Sequence, residues 1–178
     1  MKVLILGADG FIGRHLAFGL RAAGHEVIAS ARRVSALRQM GFAVVQADLT
    51  DAATHDPAFW APHLQGAALV NLAGLLTGTE AAFHSVHVTA LRAVLAACTG
   101  PALHVSAVGL GADTAFARHR RNSEKVALAA GAMVLRPGLV LAETSYGGSS
   151  ALRGFAAMPF ALPVVGDAFD RAHKGEGA

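Results

Sequence analysis

Residues 3–27 read VLILGADGFIGRHLAFGLRAAGHEV. An apolar run ends in three glycines at spacing three, Gly7, Gly10 and Gly13, and a helical pattern starts inside that set. Few folds accommodate this order. The first glycine permits a sharp turn out of a strand. The second leaves the backbone bare, so that a diphosphate can approach. The third lets the following helix lie tight against the strand. Backbone N–H groups at the helix start, with the positive end of the helix dipole, then make a seat for an anion. The spacing alone is a weak signal, and an ordinary glycine-rich turn is the alternative. Its position between a strand and a helix, opening a βαβ unit, gives it weight.

The rest of the chain repeats that unit. Short apolar runs predict strands at KVLIL, HEVIASA, FAVVQA, AALVNLAG, ALHVSAVG and AMVLRPGLVL. Between them, FIGRHLAFGLRAAG, VSALRQMG, the Pro-interrupted DPAFWAPHLQG, EAAFHSVHVTALRAVLAACTG and FARHRRNSEKVALAAG carry helical spacing. The alternation predicts an α/β, Rossmann-type doubly wound parallel sheet with strand order 3-2-1-4-5-6 and helices on both faces. It also predicts a nucleotide-binding domain over residues 1–143. Residues 144–178 read as a short extension with an apolar stretch, FAAMPFALPVVG, and a polar tail expected to fray. The apolar stretch could serve as a contact between copies or with a partner subunit.

Composition removes several classes. Of 178 residues, 53% are hydrophobic and 15% charged, which fits a packed domain rather than disorder. The charge of +3 is not gathered into one tract. The densest cluster, Arg118–Arg121, reads as a solvated helix face, and no motif for reading nucleic acid accompanies it. The single cysteine, Cys98, allows no internal disulfide and no cysteine-based zinc site, and it reads as a small buried hydrophobe of a cytoplasmic protein. No apolar run approaches the ~18 residues of a membrane span. The opening MKVLILGADG reads as a first strand and its turn rather than a signal peptide.

The end of the second strand bears on which dinucleotide fits. An acidic residue there bonds the adenosine ribose of NAD. This chain reads VIASARR, placing Arg32 and Arg33 there instead, with Arg14 after the third glycine. Guanidinium groups can clamp a 2′-phosphate, so NADP(H) is favoured over NAD(H); two solvated arginines are the alternative.

GADGFIGRHL, ADLTD, NLAG, HVSAVG and LRPGLV follow in an order that resembles the short-chain dehydrogenase/reductase superfamily. The likeness is to its extended and atypical branches, which hold epimerase/dehydratase-like, complex I accessory subunit-like and NmrA-like NAD(P)-binding proteins. The resemblance covers roughly residues 1–142. It implies that Gly7, Asp9, Gly10, Phe11, Ile12, Gly13 and Arg14 cradle the dinucleotide. Asp48 and Leu49 would meet the adenine, and Leu72, Ala73 and Gly74 the adenosine ribose. Pro137, Gly138 and Leu139 would pass near the nicotinamide. It also implies a Ser or Thr after the fifth strand, which is Ser106, and a Tyr-x-x-x-Lys pair on the next helix.

That pair is replaced. Anchored on Glu124, the helix puts Phe116 at the tyrosine and Arg120 at the lysine, and the chain's single tyrosine, Tyr146, lies past the sixth strand. His87 stands where the resemblance implies an asparagine. Two functions therefore stay open. One is an NADPH-dependent reductase or epimerase-like enzyme acting on an unknown small molecule, its proton supplied through Ser106 with a water, or through His87. The other is a catalytically silent NADP(H)-binding sensor, scaffold or assembly subunit. The chain is also short for an extended member; it could be naturally reduced, truncated, or completed by a partner.

Other constellations are weaker. His84 and His87 would share a helix face with Glu80 one turn earlier, half of a metal site at most, and no metal is expected. The remaining histidines, His104 and His119 among them, read as surface or cleft residues. Trp60 reads as a helix anchor. Neither a G-x-S-x-G elbow nor a G-x-x-x-x-G-K-[ST] loop is present.

Overall fold

The computed structural model describes residues 1–142 together with Ser150 and Gly154. The chain divides between Val140 and Leu141, and the first unit, Met1–Val140, carries the whole sheet. The stretch FAAMPFALPVVG and the polar tail lie outside the described residues apart from those two.

Six strands, β1 (Lys2–Leu6), β2 (Glu26–Ala31), β3 (Ala43–Gln46), β4 (Ala67–Asn71), β5 (Ala102–Val105) and β6 (Met133–Leu135), form one sheet in the order β3-β2-β1-β4-β5-β6. Every neighbouring pair is parallel. Helices α1 (Phe11–Ala22) and α2 (Ser35–Gln39) bury Ala17 and Leu37 against one face, over Val3, Ile5, Val27 and Ala29. Helices α3 (Pro57–Leu64), α5 (Ala90–Ala97) and α6 (Ala115–Ala129) bury Trp60, Leu64, Leu91, Val94 and Ala127 against the other, over Leu4, Leu6, Ile28 and Leu69. The molecule is thus a doubly wound Rossmann-type sheet with helices on both faces. Strand alternation sends successive side chains to opposite faces, so both faces need the apolar residues that these strands carry.

Two local details depart from the helical spacing of the sequence. Pro62 sits inside α3 without interrupting it. Asp56 caps that helix, its side chain accepting from Ala58 N at 2.8 Å, and Trp60 anchors it, with Nε1 donating to Thr54 O at 2.8 Å. The long pattern from Glu80 is one continuous run in three parts: α4 (Glu80–His84), a π turn (Ser85–Thr89) and α5. A π turn holds one residue more than an α turn and rotates what precedes it. His84 and His87 consequently diverge. His84 is exposed and meets the Thr89 hydroxyl at 3.3 Å, whereas His87 is buried. Glu80 turns away from His84 to His119 and Arg118.

Candidate functional site

The glycine turn is tied in place by backbone. Gly7 N and Ala8 N both donate to Ser30 O, at 2.9 and 3.0 Å, joining the end of β1 to β2. Gly7 has φ +73°, and a carbon added there would stand 2.9 Å from Ala73 N. A carbon added to Gly13 would fall on Gly7 O and stand 2.8 Å from Ala8 Cα. The turn, α1 and the loop after β4 can close on one another only because neither residue has a side chain. Gly10 is the N-cap of α1, so the first-turn amides begin at the turn's open side, where no intrahelical acceptor exists for them.

A cleft runs along the carboxyl ends of β1–β4, where the strand order reverses. Its walls include Gly7, Asp9 and Gly10 from the turn; Arg32 after β2; Asp48, Leu49 and Thr50 after β3; and Leu72, Ala73 and Gly74 after β4. Asp48 Oδ1 accepts from Thr50 N at 3.0 Å and Thr50 Oγ1 at 2.7 Å. Those bonds hold its carboxyl below the usual range, and the charge of Arg32 adds a smaller contribution.

Other residues implied by the resemblance stand outside these walls. Phe11, Ile12 and Gly13 belong to the body of α1. Arg14 folds back on the turn, its Nε and Nη2 donating to Asp9 O at 3.3 and 3.0 Å. Arg33 is exposed, and Pro137, Gly138 and Leu139 follow β6 beyond this cleft.

A second group of polar residues gathers at the end of β5 and on α6. The Arg118–Arg121 cluster is not a uniformly solvated face. Arg118 is exposed and pairs with Asp113 and Glu80, both at 3.1 Å. His119 is buried, its Nε2 2.7 Å from Glu80 Oε2. Arg120 is half-buried, with Nη1 donating to Val105 O at 3.1 Å and Cζ 5.6 Å from the centre of the Phe116 ring. Arg121 donates to the carbonyls of Leu110 and Ala112. Ser106 is buried where β5 ends, its N–H bound to Leu135 O at 2.8 Å. Its hydroxyl is close enough to the Glu124 carboxylate to help keep it ionised, without the geometry of a full hydrogen bond.

Behind them runs a buried chain of hydrogen bonds that the sequence did not signal. Asn71 Oδ1 accepts from Ala73 N at 3.0 Å, which turns Nδ2 toward His104 Nδ1, also at 3.0 Å. His104 Nε2 therefore carries the proton and donates to Ser123 Oγ at 2.9 Å, and that hydroxyl donates to Arg120 O at 2.8 Å. The chain links the loop of Ala73 to the helix of Arg120. His104 and His119 are thus interior residues rather than surface ones. Burial, with the nearby Arg120 charge, pushes the His104 pKa down to about 4. The same two causes take His87 down to about 3, and its Nε2 accepts from Leu75 N at 3.2 Å. Both rings are neutral at ordinary pH. Cys98 is half-buried rather than buried, its Sγ 3.4 Å from Gly100 O. Among the described residues, no three His, Cys, Asp or Glu side chains converge on a metal-sized centre, and no helix is long and apolar enough to cross a membrane.

The sequence model of the NAD dependent epimerase/dehydratase family matches residues 3–129. The chain belongs to that family. Solved structures similar in fold include proteins described as epimerases and as members of the short-chain dehydrogenase/reductase superfamily. One such structure is a Bacillus halodurans protein described as an NAD-dependent epimerase/dehydratase, with TM-score 0.66 and 23% identity over 83% of this chain and 74% of that one. Serine dehydrogenase from Escherichia coli gives 0.63 and 20%, over 89% and 92%. A superfamily protein from Agrobacterium tumefaciens, solved with bound NAD, gives 0.61 and 19%, over 76% of this chain but 48% of that one. The chain therefore spans about half of some relatives and most of others. No curated protein matches it in sequence. In this epimerase/dehydratase-family chain, the α6 positions matched above to a tyrosine and a lysine hold Phe116 and Arg120 on one side of the helix, one turn apart.

Proposed function

We propose that the chain binds NADP(H) in the cleft at the β1/β4 switch and acts as an oxidoreductase or epimerase-like enzyme with an altered proton donor. The observation that carries this reading is the closure of Gly7 and Gly13 against backbone beside a cleft walled by Arg32. The residues fit a dinucleotide. First-turn amides of α1 would receive the diphosphate, Asp48 and Leu49 the adenine, and Arg32 the 2′-phosphate. The coenzyme, when bound, supplies hydride transfer.

Among the chain's own groups, Phe116 has no proton to give. His87 is a poor acid, because burial makes its cation unstable far below neutral pH. The hydroxyl of Ser106 remains, working through a bound water. Phe116 equally favours a second reading, a silent NADP(H)-binding sensor or subunit. The half-buried thiol of Cys98 accords with a reducing cytoplasm.

Calorimetry with NADP⁺ and NAD⁺ tests the binding claim. Arg32→Ala is expected to weaken NADP⁺ by about tenfold or more, one charge-assisted pair, and to leave NAD⁺ nearly unchanged. Equal losses would refute the 2′-phosphate assignment, and no heat with either coenzyme would refute the function. NADPH oxidation across a panel of carbonyl compounds, abolished by Ser106→Ala, supports the enzyme. Binding without turnover supports the silent protein.

A further inference from the structure

We propose that the end of β5 and the inner side of α6 form a subsite for one anionic oxygen group, a carboxylate or a phosphate, with Arg120 as its cationic partner. The proposal rests on the dinucleotide reading above, because the subsite adjoins that cleft at Gly74.

Three observations converge. First, among the described residues, the Arg120 charge makes no ion pair. Glu124 is the acidic group that acts on it, and Glu124 is already engaged on both oxygens by Arg136, at 2.7 and 2.5 Å. The Arg120 guanidinium donates to one carbonyl, that of Val105. A guanidinium withdrawn from water without a counter-charge is costly, and its burial accordingly lowers its pKa. Second, Gly74 makes room for it. A carbon on Gly74 would overlap Nη2, lie 2.9 Å from Cζ of Arg120 and 3.2 Å from Cε1 of His87. The guanidinium is thus laid against the loop that walls the cleft. Third, the buried side-chain polar atoms without a hydrogen-bond partner, among the described residues, are Ser106 Oγ, His119 Nδ1 and Arg120 Nε. Ser106 is only 5% exposed and follows directly on Val105, whose carbonyl holds Arg120. Orphaned buried polar atoms are rare because each costs about 1–3 kcal/mol. Two of them, the Ser106 hydroxyl and the Arg120 Nε–H, are donors on adjoining elements and describe a place prepared for an acceptor. A carboxylate or phosphate oxygen satisfies the guanidinium and the serine hydroxyl together, whereas a neutral hydroxyl leaves the charge uncompensated.

The anion has two sources, the acid group of a substrate or the diphosphate of the dinucleotide. Malonate, with malonamide as the uncharged control, is titrated calorimetrically into the chain saturated with NADP⁺. The expected result is millimolar malonate binding and none of malonamide. Arg120→Gln should weaken malonate by about tenfold or more. Arg120→Lys, which keeps the charge and guards against misfolding of the Gln variant, should retain most of it, as should Arg92→Gln at an exposed position of α5. An unchanged NADP⁺ affinity in Arg120→Gln then assigns the subsite to substrate. If malonate does not bind, but Arg120→Gln weakens NADP⁺ and spares adenosine 2′,5′-bisphosphate, the subsite stands and its anion is the diphosphate. If a folded Arg120→Gln alters neither ligand, the subsite is refuted while dinucleotide binding survives. Should NADP⁺ itself fail to bind, malonate is titrated into the free chain. Arg120-dependent binding there upholds the subsite, and its absence overturns it.

Discussion

Gly13→Ala and Gly19→Ala are the same chemical change in one helix, and they should act in opposite directions. Both gain helix propensity, up to about 1 kcal/mol, because alanine restricts the unfolded chain. At Gly19 an added carbon has no neighbour within 4 Å, so the gain stands. At Gly13 it falls on Gly7 O and 2.8 Å from Ala8 Cα. Carbon atoms need about 3.5 Å, so α1 has to retreat by roughly 0.7 Å or the turn has to deform. Overpacking of this kind costs about 1–3 kcal/mol, which exceeds the propensity gain. Urea unfolding should separate the two variants by about 2 kcal/mol, Gly19→Ala above the native chain and Gly13→Ala below it. Calorimetry should show Gly13→Ala losing at least about tenfold in NADP⁺ affinity, since displaced amides lose hydrogen bonds of roughly 1.5–3 kcal/mol each to the diphosphate. Equal stabilities, or native coenzyme affinity in a folded Gly13→Ala, would refute the close-packed turn.

His87 and His104 have folded pKa values near 3 and 4, below the ~6.5 of the unfolded chain. The unfolded state binds protons first, so stability is full above about pH 6.5 and falls below it, by up to about 1.4 kcal/mol per pH unit for each ring. Urea midpoints should drop between pH 7 and 5, before the carboxylates titrate, and His104→Asn should flatten the slope; a pH-independent midpoint over that range contradicts the buried neutral rings. Arg136→Ala leaves the buried Glu124 carboxylate without its paired guanidinium, so the urea midpoint at pH 7 should fall, by less than for a fully buried pair because Arg136 is itself half exposed. Glu124→Gln in that background should recover part of it, and an unchanged midpoint on Arg136→Ala would show the pair to be without effect.

The fold was legible because its signals are local and repeated. Apolar runs of strand length alternate with helical patterns, and the handedness of parallel crossovers leaves few strand orders. The glycine turn was legible because each glycine answers a distinct steric demand. The second half of the site was harder to read, for a physical reason. The buried side of α6 carries His119, Ser123 and Glu124 as well as Ala117 and Ala127. Its spacing is helical, but it is written in polar letters, and a pattern search that weighs hydrophobicity takes such a stripe for solvent. The Asn71–His104–Ser123 chain joins residues far apart in sequence, and nothing local marks them as partners. The separation of His84 from His87 was invisible because a π turn has no residue signature of its own.

That turn gives the helix a surplus residue. Removing any one codon between positions 85 and 89 would let the backbone ladder close as ordinary α-helix, with little loss of helical length. The deletion would remove the surplus residue together with its share of the rotation, so Glu80–His84 would keep their facing relative to α5. Phe83 would keep its stack with His119, while side chains inside the turn, the His87 imidazole beside Gly74 among them, would be re-aimed. The smallest in-frame deletion would thus spare the scaffold and the flanking helix faces, and alter the inner wall of the cleft at that turn alone, where Val86 lines it.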